Sequence, residues 1–315
     1  MLLIEDLGSV PADLGSTAVT VGKFDGLHFG HRGLVAALHE EARAAGLRAV
    51  AITFDRHPCS VLRPGTAPEP IVPVRRRVEL LAEEGVDAVA VLPFTPEFSA
   101  LEPLEFVREV LRKRFDMRVV VVGADFRFGA RGAGDVAALL EYAAPLGYRV
   151  RVVEDEQGPS GRRASSSWIR ELLAAGEVAA AARLLGRPHE VAGEVVHGAR
   201  RGREIGFPTA NLSAEAEGLV PADGVYAGWL HDGGRRLPAA ISIGDNPTFG
   251  DVHAKQVEAH VLGGTELDLY GRTVRLSFVE RIRGMERFEG VPQLVARMRE
   301  DVRRARELLG TEGLE

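Results

Sequence analysis

From Ala18 to Val153, short apolar runs alternate with longer amphipathic stretches. This alternation is typical of β-α-β units, in which helices cover a mostly parallel sheet. The predicted strands are Ala18–Val21, Arg48–Phe54, Ala88–Leu92, Arg118–Val122 and Tyr148–Val153. The predicted helices are Arg32–Ala45, Val74–Glu84, Pro103–Phe115, Val136–Ala143, Trp168–Ala175 and Val178–Leu185. The first part of the chain is therefore expected to be a doubly wound α/β domain.

The pattern changes after Gly186-Arg187-Pro188 to short β-type runs without helices between them. These runs are His189–Val196, Val225–His231, Pro238–Ile243, Gln256–Leu262 and Val274–Val279. Strands in series separated by Gly, Pro, Asp and Asn indicate an antiparallel barrel or sandwich. A terminal amphipathic helix is predicted over Pro292–Leu309. We therefore expect two domains, residues 1–186 (α/β) and 187–315 (all-β), which agrees with a length of 315 residues.

Charge and composition exclude several classes of protein. The formal net charge is −6, so no basic surface is expected that would bind a nucleic-acid backbone. No apolar run is long enough for a membrane helix, and Met1–Asp13 contains Glu5 and Asp6 where a secretory leader would be basic and apolar. Cys59 is the single cysteine, so disulfides are not expected. We expect a cytoplasmic protein that is a monomer or a weak homo-oligomer and binds neither nucleic acid nor membrane.

A glycine-rich turn follows the first predicted strand and ends in His28-Phe29-Gly30-His31. Two imidazoles at a helix start can converge on one phosphate and stabilise charge that develops on its oxygens. The sequence contains neither a G-x-x-x-x-G-K-[ST] loop nor a G-x-G-x-x-G fingerprint. Two alternatives stay open for the histidines: ordinary surface residues, or zinc ligands with His57 as the third.

A second phosphate-suited segment is Ser165-Ser166-Ser167-Trp168-Ile169-Arg170, which opens a predicted helix. Its hydroxyls, free N–H groups and guanidinium suit an anion. The alternative interpretation is a helix capped by serine and nothing more.

Four segments together resemble the nucleotidyltransferase module of bacterial bifunctional riboflavin kinase/FAD synthetases: Val21–His31, Thr53–Pro58, Gly123–Gly129 and Ser165–Arg170. The resemblance implies a Rossmann-like fold and adenylyl transfer, in which FMN phosphate attacks the α-phosphate of ATP to give FAD and pyrophosphate. It implies catalytic roles for His28, His31 and Arg170. It implies nucleotide binding by Gly22, Phe24, Asp25, Gly30, Ser165, Ser166 and Ser167, and flavin binding by Phe54, His57, Pro58, Asp125, Phe126 and Phe128. Ser167, Trp168 and Arg56 depart from the family pattern.

The longest motif of the second part runs from Gly198 to Asn211 and ends in Phe207-Pro208-Thr209-Ala210-Asn211. An arginine-rich glycine turn followed by a corner with hydroxyl and amide groups suits a polyphosphate and a hard cation. Ordinary β-turns explain the glycines but not the whole motif. It closely resembles the riboflavin kinase signature, which implies ATP binding by Gly198, Gly202, Arg203, Gly206, Phe207 and Pro208, and Mg²⁺ or a similar cation on Thr209 and Asn211.

Two further segments, Ser242–Phe249 and Val257–Leu262, agree with the same family. On a strand, Glu258 and His260 share one side, so Glu258 is expected to project into a barrel mouth. A solvated glutamate on an edge strand is the default alternative. The resemblance implies that Glu258 is the general base for the ribityl 5′-hydroxyl and that Arg283 lies on the flavin side.

The prediction is a bifunctional enzyme that makes FMN from riboflavin and FAD from FMN, using one ATP in each step. A monofunctional riboflavin kinase with an inactive first module is one alternative. A flavin-binding protein without turnover is the other.

Overall fold

A computed structural model describes residues 1–154, 161–198, 205–245, 255–263 and 268–311. The chain divides into two compact units, Met1–Ser166 and Ser167–Glu315. Each unit has its own sheet, and each is described separately below.

The first unit contains a six-stranded parallel sheet in the order β1-β4-β3-β2-β5-β6. Its strands are β1 (Leu2–Ile4), β2 (Thr17–Val21), β3 (Arg48–Phe54), β4 (Ala88–Leu92), β5 (Met117–Gly123) and β6 (Arg149–Val153). Every residue of β2 is buried, as expected for a strand covered on both faces. The predicted α/β class is confirmed, and the edge strand β1 is an addition to the five predicted strands.

Helices surround this sheet. They are α1 (Phe29–Ala45), α2 (Cys59–Leu62), α3 (Val74–Glu83), α4 (Pro96–Ser99), α5 (Pro103–Glu105) and α6 (Val136–Leu146). The sequence predicted one helix over Pro103–Phe115, but α5 continues as a π-helical segment, Phe106–Arg112. Helix α1 begins three residues before its predicted start, so His31 lies in its first turn. Gly46 ends α1 in the left-handed conformation, and the Asp135 side chain caps α6.

The strand order places a site at one edge of this sheet. From β2 the chain builds outward through β3 and β4 on one side, and β5 and β6 are added on the other. Doubly wound sheets bind ligands at the carboxyl ends of the strands where the direction of winding reverses. The segments that follow β2, β3 and β5 hold the motifs singled out in the sequence.

The second unit contains a closed antiparallel barrel in the order β10-β11-β8-β7-β12-β9. Its strands are β7 (His189–Val196), β8 (Ala210–Leu212), β9 (Gly224–Asp232), β10 (Arg235–Asp245), β11 (Lys255–Val261) and β12 (Thr273–Arg283). Its helices are α7 (Ser166–Ala174), whose first residue belongs to the first unit, α8 (Val178–Leu185) and α9 (Val291–Leu309). The barrel and its terminal helix confirm the predicted class, and β8 is the strand that the sequence did not predict.

The two faces of the barrel strands differ in what they contact. Tyr226 and Phe278 pack edge to face in the interior. On the outer face, Ala227 and Ala240 form a separate apolar cluster with Ala305 of α9. Helix α9 therefore covers part of the outside of the barrel, where small side chains let it approach closely.

We predict that a fragment of residues 167–315 is more stable than one of residues 187–315, which starts at the boundary expected from sequence. Helix α8 packs on β7 and β12 and buries Val178, Ala181, Leu184 and Leu185. Each of the valine and leucine side chains contributes about 1.5–3 kcal/mol when buried. Thermal unfolding followed by circular dichroism should give the shorter fragment a Tm lower by about 5 °C or more. Equal Tm values would show that the barrel does not need α8.

Candidate active sites

The turn between β2 and α1 has an unusual backbone. Phe24 and Leu27 have positive φ angles of 47° and 44°, and both side chains are fully buried. A non-glycine residue in this region is strained by about 1–3 kcal/mol and persists only where its surroundings hold it. Strain of this kind is concentrated at functional sites, so the turn is a candidate binding element.

His28 and His31 lie against one another at the start of α1. Their ring centroids are 3.8 Å apart and their planes differ by 19°, so the imidazoles are stacked. Phe24 contacts the His31 ring edge to face at 5.3 Å. A methyl group at Gly30 would lie 3.3 Å from the His28 ring, so a glycine there relieves crowding of that imidazole.

The surroundings keep both imidazoles neutral. Burial, followed by the positive charge of Arg163, lowers the pKa of His28 from 6.5 to about 4. Burial also holds the pKa of His31 well below its usual value, with the charges of His28, Lys23, Arg77 and Arg163 adding to the effect. The Nδ1 atoms of both rings are buried and have no hydrogen-bond partner within the part of the chain that the structure describes. Unpartnered polar atoms at a helix start can bind a ligand.

Asp25 holds the turn in place through its side chain. Its buried Oδ1 accepts hydrogen bonds from the backbone N–H groups of Ile71 at 3.0 Å and Val72 at 3.3 Å. Its backbone carbonyl accepts a hydrogen bond from Ser166 Oγ at 2.8 Å. These contacts fix the turn against the segment that precedes α3, a positioning role that the sequence did not predict.

The serine cluster begins at the same place. Ser166 contacts Asp25 of the glycine-rich turn, and Ser165 precedes it directly. Ser167 and Arg170 lie in the first five residues of α7, and Trp168 lies between them. Arg163, just before the cluster, forms an ion pair of 2.8 Å with Asp125, and this hydrogen bond lowers the pKa of Asp125.

Aromatic side chains follow the ends of β3 and β5. Phe126 and Phe128 stack with centroids 5.5 Å apart. Phe54 contacts Phe94, which follows β4, at 5.1 Å. Phe98 and Phe106 connect these two groups through further ring contacts. The sequence interpretation missed Phe94 and Phe98, although an aromatic residue just after a strand end is a usable signal.

His57 and Pro58 lie at the start of the short helix α2. His57 Nδ1 accepts a hydrogen bond from the backbone N–H of Cys59 at 3.1 Å. Arg56 forms an ion pair with Asp55 at 2.8 Å, and Asp55 also accepts a hydrogen bond from the backbone N–H of Phe94. Arg56, which departs from the family pattern, therefore has a mostly exposed side chain that pairs with Asp55.

In the barrel, Glu258 lies opposite Ser242 on β10 and Asn211 on β8. Val257 and Ala259, its neighbours on β11, are buried. Glu258 is thus half-buried on the outer face, which corrects the expectation that it projects into a barrel mouth. The prediction that Glu258 and His260 share one side of β11 agrees with the strand pairing, and the buried Val257 and Ala259 show that the opposite side faces the core.

The Pro208–Asn211 corner is held from β11. Asn211 is only 7% exposed, its Oδ1 accepts a hydrogen bond from Gln256 Nε2 at 2.8 Å, and its Nδ2 donates to Thr209 at 3.3 Å. His260 Nδ1 bonds the Pro208 carbonyl at 2.8 Å. A methyl group at Gly198 would lie 2.6 Å from the Asn211 side chain, so only glycine fits there. The oxygens of Thr209 and Asn211 are the hard donors that Mg²⁺ prefers.

The other predicted kinase residues are placed as follows. Gly206 has a φ of 86°, and Phe207 contacts the His260 ring edge to face at 5.3 Å. Arg283, expected on the flavin side, binds Asp301 of α9 through both ends of its guanidinium, at 2.9 and 2.7 Å, so it holds the terminal helix. Gly202 and Arg203 lie outside the described residues.

Within the described ranges, no group of three or more His, Cys, Asp or Glu side chains is arranged to hold a metal ion. No helix among them has the length and apolar character required to span a bilayer.

Known proteins resemble this chain over nearly its whole length. A model of FAD synthetase matches residues 10–167, and a model of riboflavin kinase matches residues 185–309. The bifunctional riboflavin kinase/FMN adenylyltransferase of Escherichia coli (strain K12) is 35% identical, over 98% of this chain and 96% of the relative. Its counterpart in Listeria monocytogenes serovar 1/2a is 34% identical, over 90% and 89%. A crystal structure described as a macrolide-efflux protein from Streptococcus pneumoniae has a TM-score of 0.88 at 32% identity, over 97% of this chain and 98% of that one.

We predict that His28 titrates near pH 4 in the free protein. Unfolding restores the ordinary pKa of 6.5, so the unfolded chain binds a proton that the folded chain excludes between these values. The free energy of unfolding should therefore fall by about 3 kcal/mol from this group as pH is lowered through that window. Titration of the histidine ring protons by NMR, with His28→Gln to assign the signal, checks the pKa. A His28 signal titrating at its ordinary value would contradict the burial described here.

Proposed function

The chain belongs to the bifunctional riboflavin kinase/FMN adenylyltransferase family, and we propose that its two clusters of site residues divide the two reactions between them. The enzyme phosphorylates riboflavin with ATP to give FMN and ADP, and then adenylylates FMN with a second ATP to give FAD and pyrophosphate. The first unit carries the FAD synthetase family match and the second carries the riboflavin kinase match. The division into domains at residues 186 and 187 remains a proposal.

The stacked pair His28 and His31 supports the assignment of adenylyl transfer most strongly. The pair lies at the N-terminus of α1, at the carboxyl edge of the sheet, and among the described residues the buried Nδ1 atoms have no hydrogen-bond partner. A phosphate oxygen of FMN attacks the α-phosphorus of ATP while the bond from that phosphorus to the departing pyrophosphate breaks. Each neutral imidazole donates one N–H bond to phosphate oxygens that gain negative charge.

Other residues are assigned to the two substrates by their motifs. Ser165, Ser166, Ser167 and Arg170 hold the phosphates of ATP through hydroxyl groups, helix N–H groups and one guanidinium. The exposed parts of Phe54, Phe126 and their aromatic neighbours offer flat apolar surfaces for the flavin ring system. Asp125 orders the loop after β5 through its ion pair with Arg163.

Glu258 acts as the general base of the kinase step. The 5′-hydroxyl of riboflavin attacks the γ-phosphorus of ATP, its proton passes to the Glu258 carboxylate, and ADP leaves. Glu258 and Asn211 face one another across adjacent strands, so the base lies beside the corner that would bind the nucleotide. Thr209 and Asn211 would hold Mg²⁺, which neutralises phosphate charge when bound.

The partners that follow from this assignment are ATP, riboflavin and FMN. A cytoplasmic location and a monomeric or weakly oligomeric state stay predictions from the sequence. The pneumococcal structure is described by an efflux role, whereas both family models and the curated relatives are described by flavin synthesis.

We predict that His28→Ala abolishes FAD formation and spares FMN formation, and that Asn211→Ala does the reverse. Loss of an electrostatic stabiliser costs about 10²–10³ in kcat, and the two sites belong to separate units. The measurement follows riboflavin, FMN and FAD by chromatography during incubation of the full chain with ATP and Mg²⁺. Wild-type protein that accumulates FMN without FAD would favour the monofunctional alternative, and equal loss of both products in each variant would contradict separate sites.

We predict that Glu258→Gln lowers kcat of FMN formation by about 10²–10⁴ because the amide cannot accept the hydroxyl proton. Riboflavin binding, followed by quenching of flavin fluorescence, should change little. Glu190→Gln is a suitable control because this β7 carboxylate is paired with Arg275. Unchanged FMN formation in Glu258→Gln would assign the proton transfer elsewhere.

A further inference from the structure

A buried arginine outside the recognised motifs lies close to the adenylyl-transfer site. Arg77, in the first turn of α3, is 5% exposed. Its Nη1 donates to Thr53 Oγ1 at 3.2 Å and to the Phe54 carbonyl at 3.0 Å, at the carboxyl end of β3. Its Nε is buried and has no hydrogen-bond partner within the described part of the chain. Burying a guanidinium is costly, and the negative charge of Asp25 offsets part of that cost, so an arginine kept at this position suggests a function beyond packing.

Hydrogen bonds connect Arg77 to the glycine-rich turn. Thr53 is fully buried, and its Oγ1 donates to the Lys23 carbonyl at 3.2 Å. The chain of contacts therefore runs from α3 through β3 to the residue that precedes the strained Phe24. Asp25 binds the backbone of Ile71 and Val72, just before α3. The segment of residues 71–77 thus holds the turn at two points, Lys23 and Asp25.

We propose that Arg77 is a positioning residue for adenylyl transfer, which acts through Thr53 and the Lys23 carbonyl to hold the turn that presents His28 and His31. The proposal rests on the assignment of these histidines to adenylyl transfer made above. A displacement of about 1 Å at a reacting centre can lower a rate by about a hundredfold, so a contact that fixes the turn affects the rate without touching substrate.

The charge of Arg77 also acts on the histidines. The groups that act on His31 are the positive Lys23, Arg77 and Arg163 and the ring of His28. Among the carboxylates, Asp25 acts on Arg77 and Asp125 is paired with Arg163. Loss of one positive charge makes protonation of His31 easier, so its pKa should rise in a variant without that charge. This titration reports the charge of Arg77 at the histidines, separately from its hydrogen bond to Thr53.

The test uses the full chain and measures FMN and FAD formation in the same protein. Arg77→Met should lower kcat of FAD formation by about tenfold or more and leave FMN formation within about twofold. A thermal unfolding profile like that of the wild type reports correct folding of the first unit. Arg77→Lys should recover part of the rate and keep the pKa of His31 low in an NMR titration, whereas Arg77→Met should raise it. The matched control is Arg75→Gln on the same helix, whose side chain is 87% exposed and should not matter.

Thr53→Val distinguishes the positioning of the turn from the charge of Arg77. It removes the link to Lys23 but keeps the guanidinium, so FAD formation should fall while the pKa of His31 stays low. The proposal is overturned if Arg77→Met or Thr53→Val forms FAD at the wild-type rate, or if Arg75→Gln loses as much activity as Arg77→Met. If Arg77→Met fails to fold, Thr53→Val alone decides the outcome. If His28→Ala still makes FAD, the site assignment fails, and that result is distinct from any result at Arg77.

Discussion

The parallel sheet of the first unit holds the turn between β2 and α1 in a conformation that the residues of the turn disfavour. Phe24 and Leu27 keep their positive φ angles because their side chains are buried. The adjacent residues Lys23 and Asp25 are also fixed, since each accepts a hydrogen bond from another segment. The result is a rigid presentation of two stacked, neutral imidazoles at a helix start. Catalysis by positioned charge needs this rigidity because the groups must be in place before charge develops on the phosphates.

The second unit also holds its site residues rigidly, but it does so through strand pairing. Its barrel places Asn211 and Glu258 opposite one another by strand register, and Gln256 and His260 hold the Pro208–Asn211 corner from the same strand. A residue on β11 is therefore positioned by backbone pairing, whereas the histidines are positioned by a strained turn. In both units the reacting groups are supported by a regular element, with few degrees of freedom left to the side chains.

Much of the fold could be predicted from the sequence because hydrophobic periodicity is strong where the elements are long. Strands such as Arg48–Phe54 and Ala88–Leu92 were predicted at their observed bounds. Strand β1 was missed because it has three residues and exposes Leu2 and Leu3. Strand β8 was missed because two of its three residues, Ala210 and Asn211, belong to the Thr209–Asn211 motif. The π-helical segment after α5 and the two faces of β11 depend on tertiary packing and register, which periodicity alone does not contain. Similarly, the sequence pointed to Asp25 and Arg283 as ligand-binding residues, and it contained no signal that Asp25 holds a backbone segment or that Arg283 holds α9.

The central claim is that one chain contains two separate nucleotide sites, one built on the stacked histidines and one on the Pro208–Asn211 corner. Isothermal titration calorimetry of the full chain with a non-hydrolysable ATP analogue and Mg²⁺ tests it most directly. The account predicts that the wild-type chain binds two equivalents of the analogue, and that disabling either cluster alone leaves one. Binding of a single equivalent by the wild-type chain, with both clusters required for it, would contradict the account.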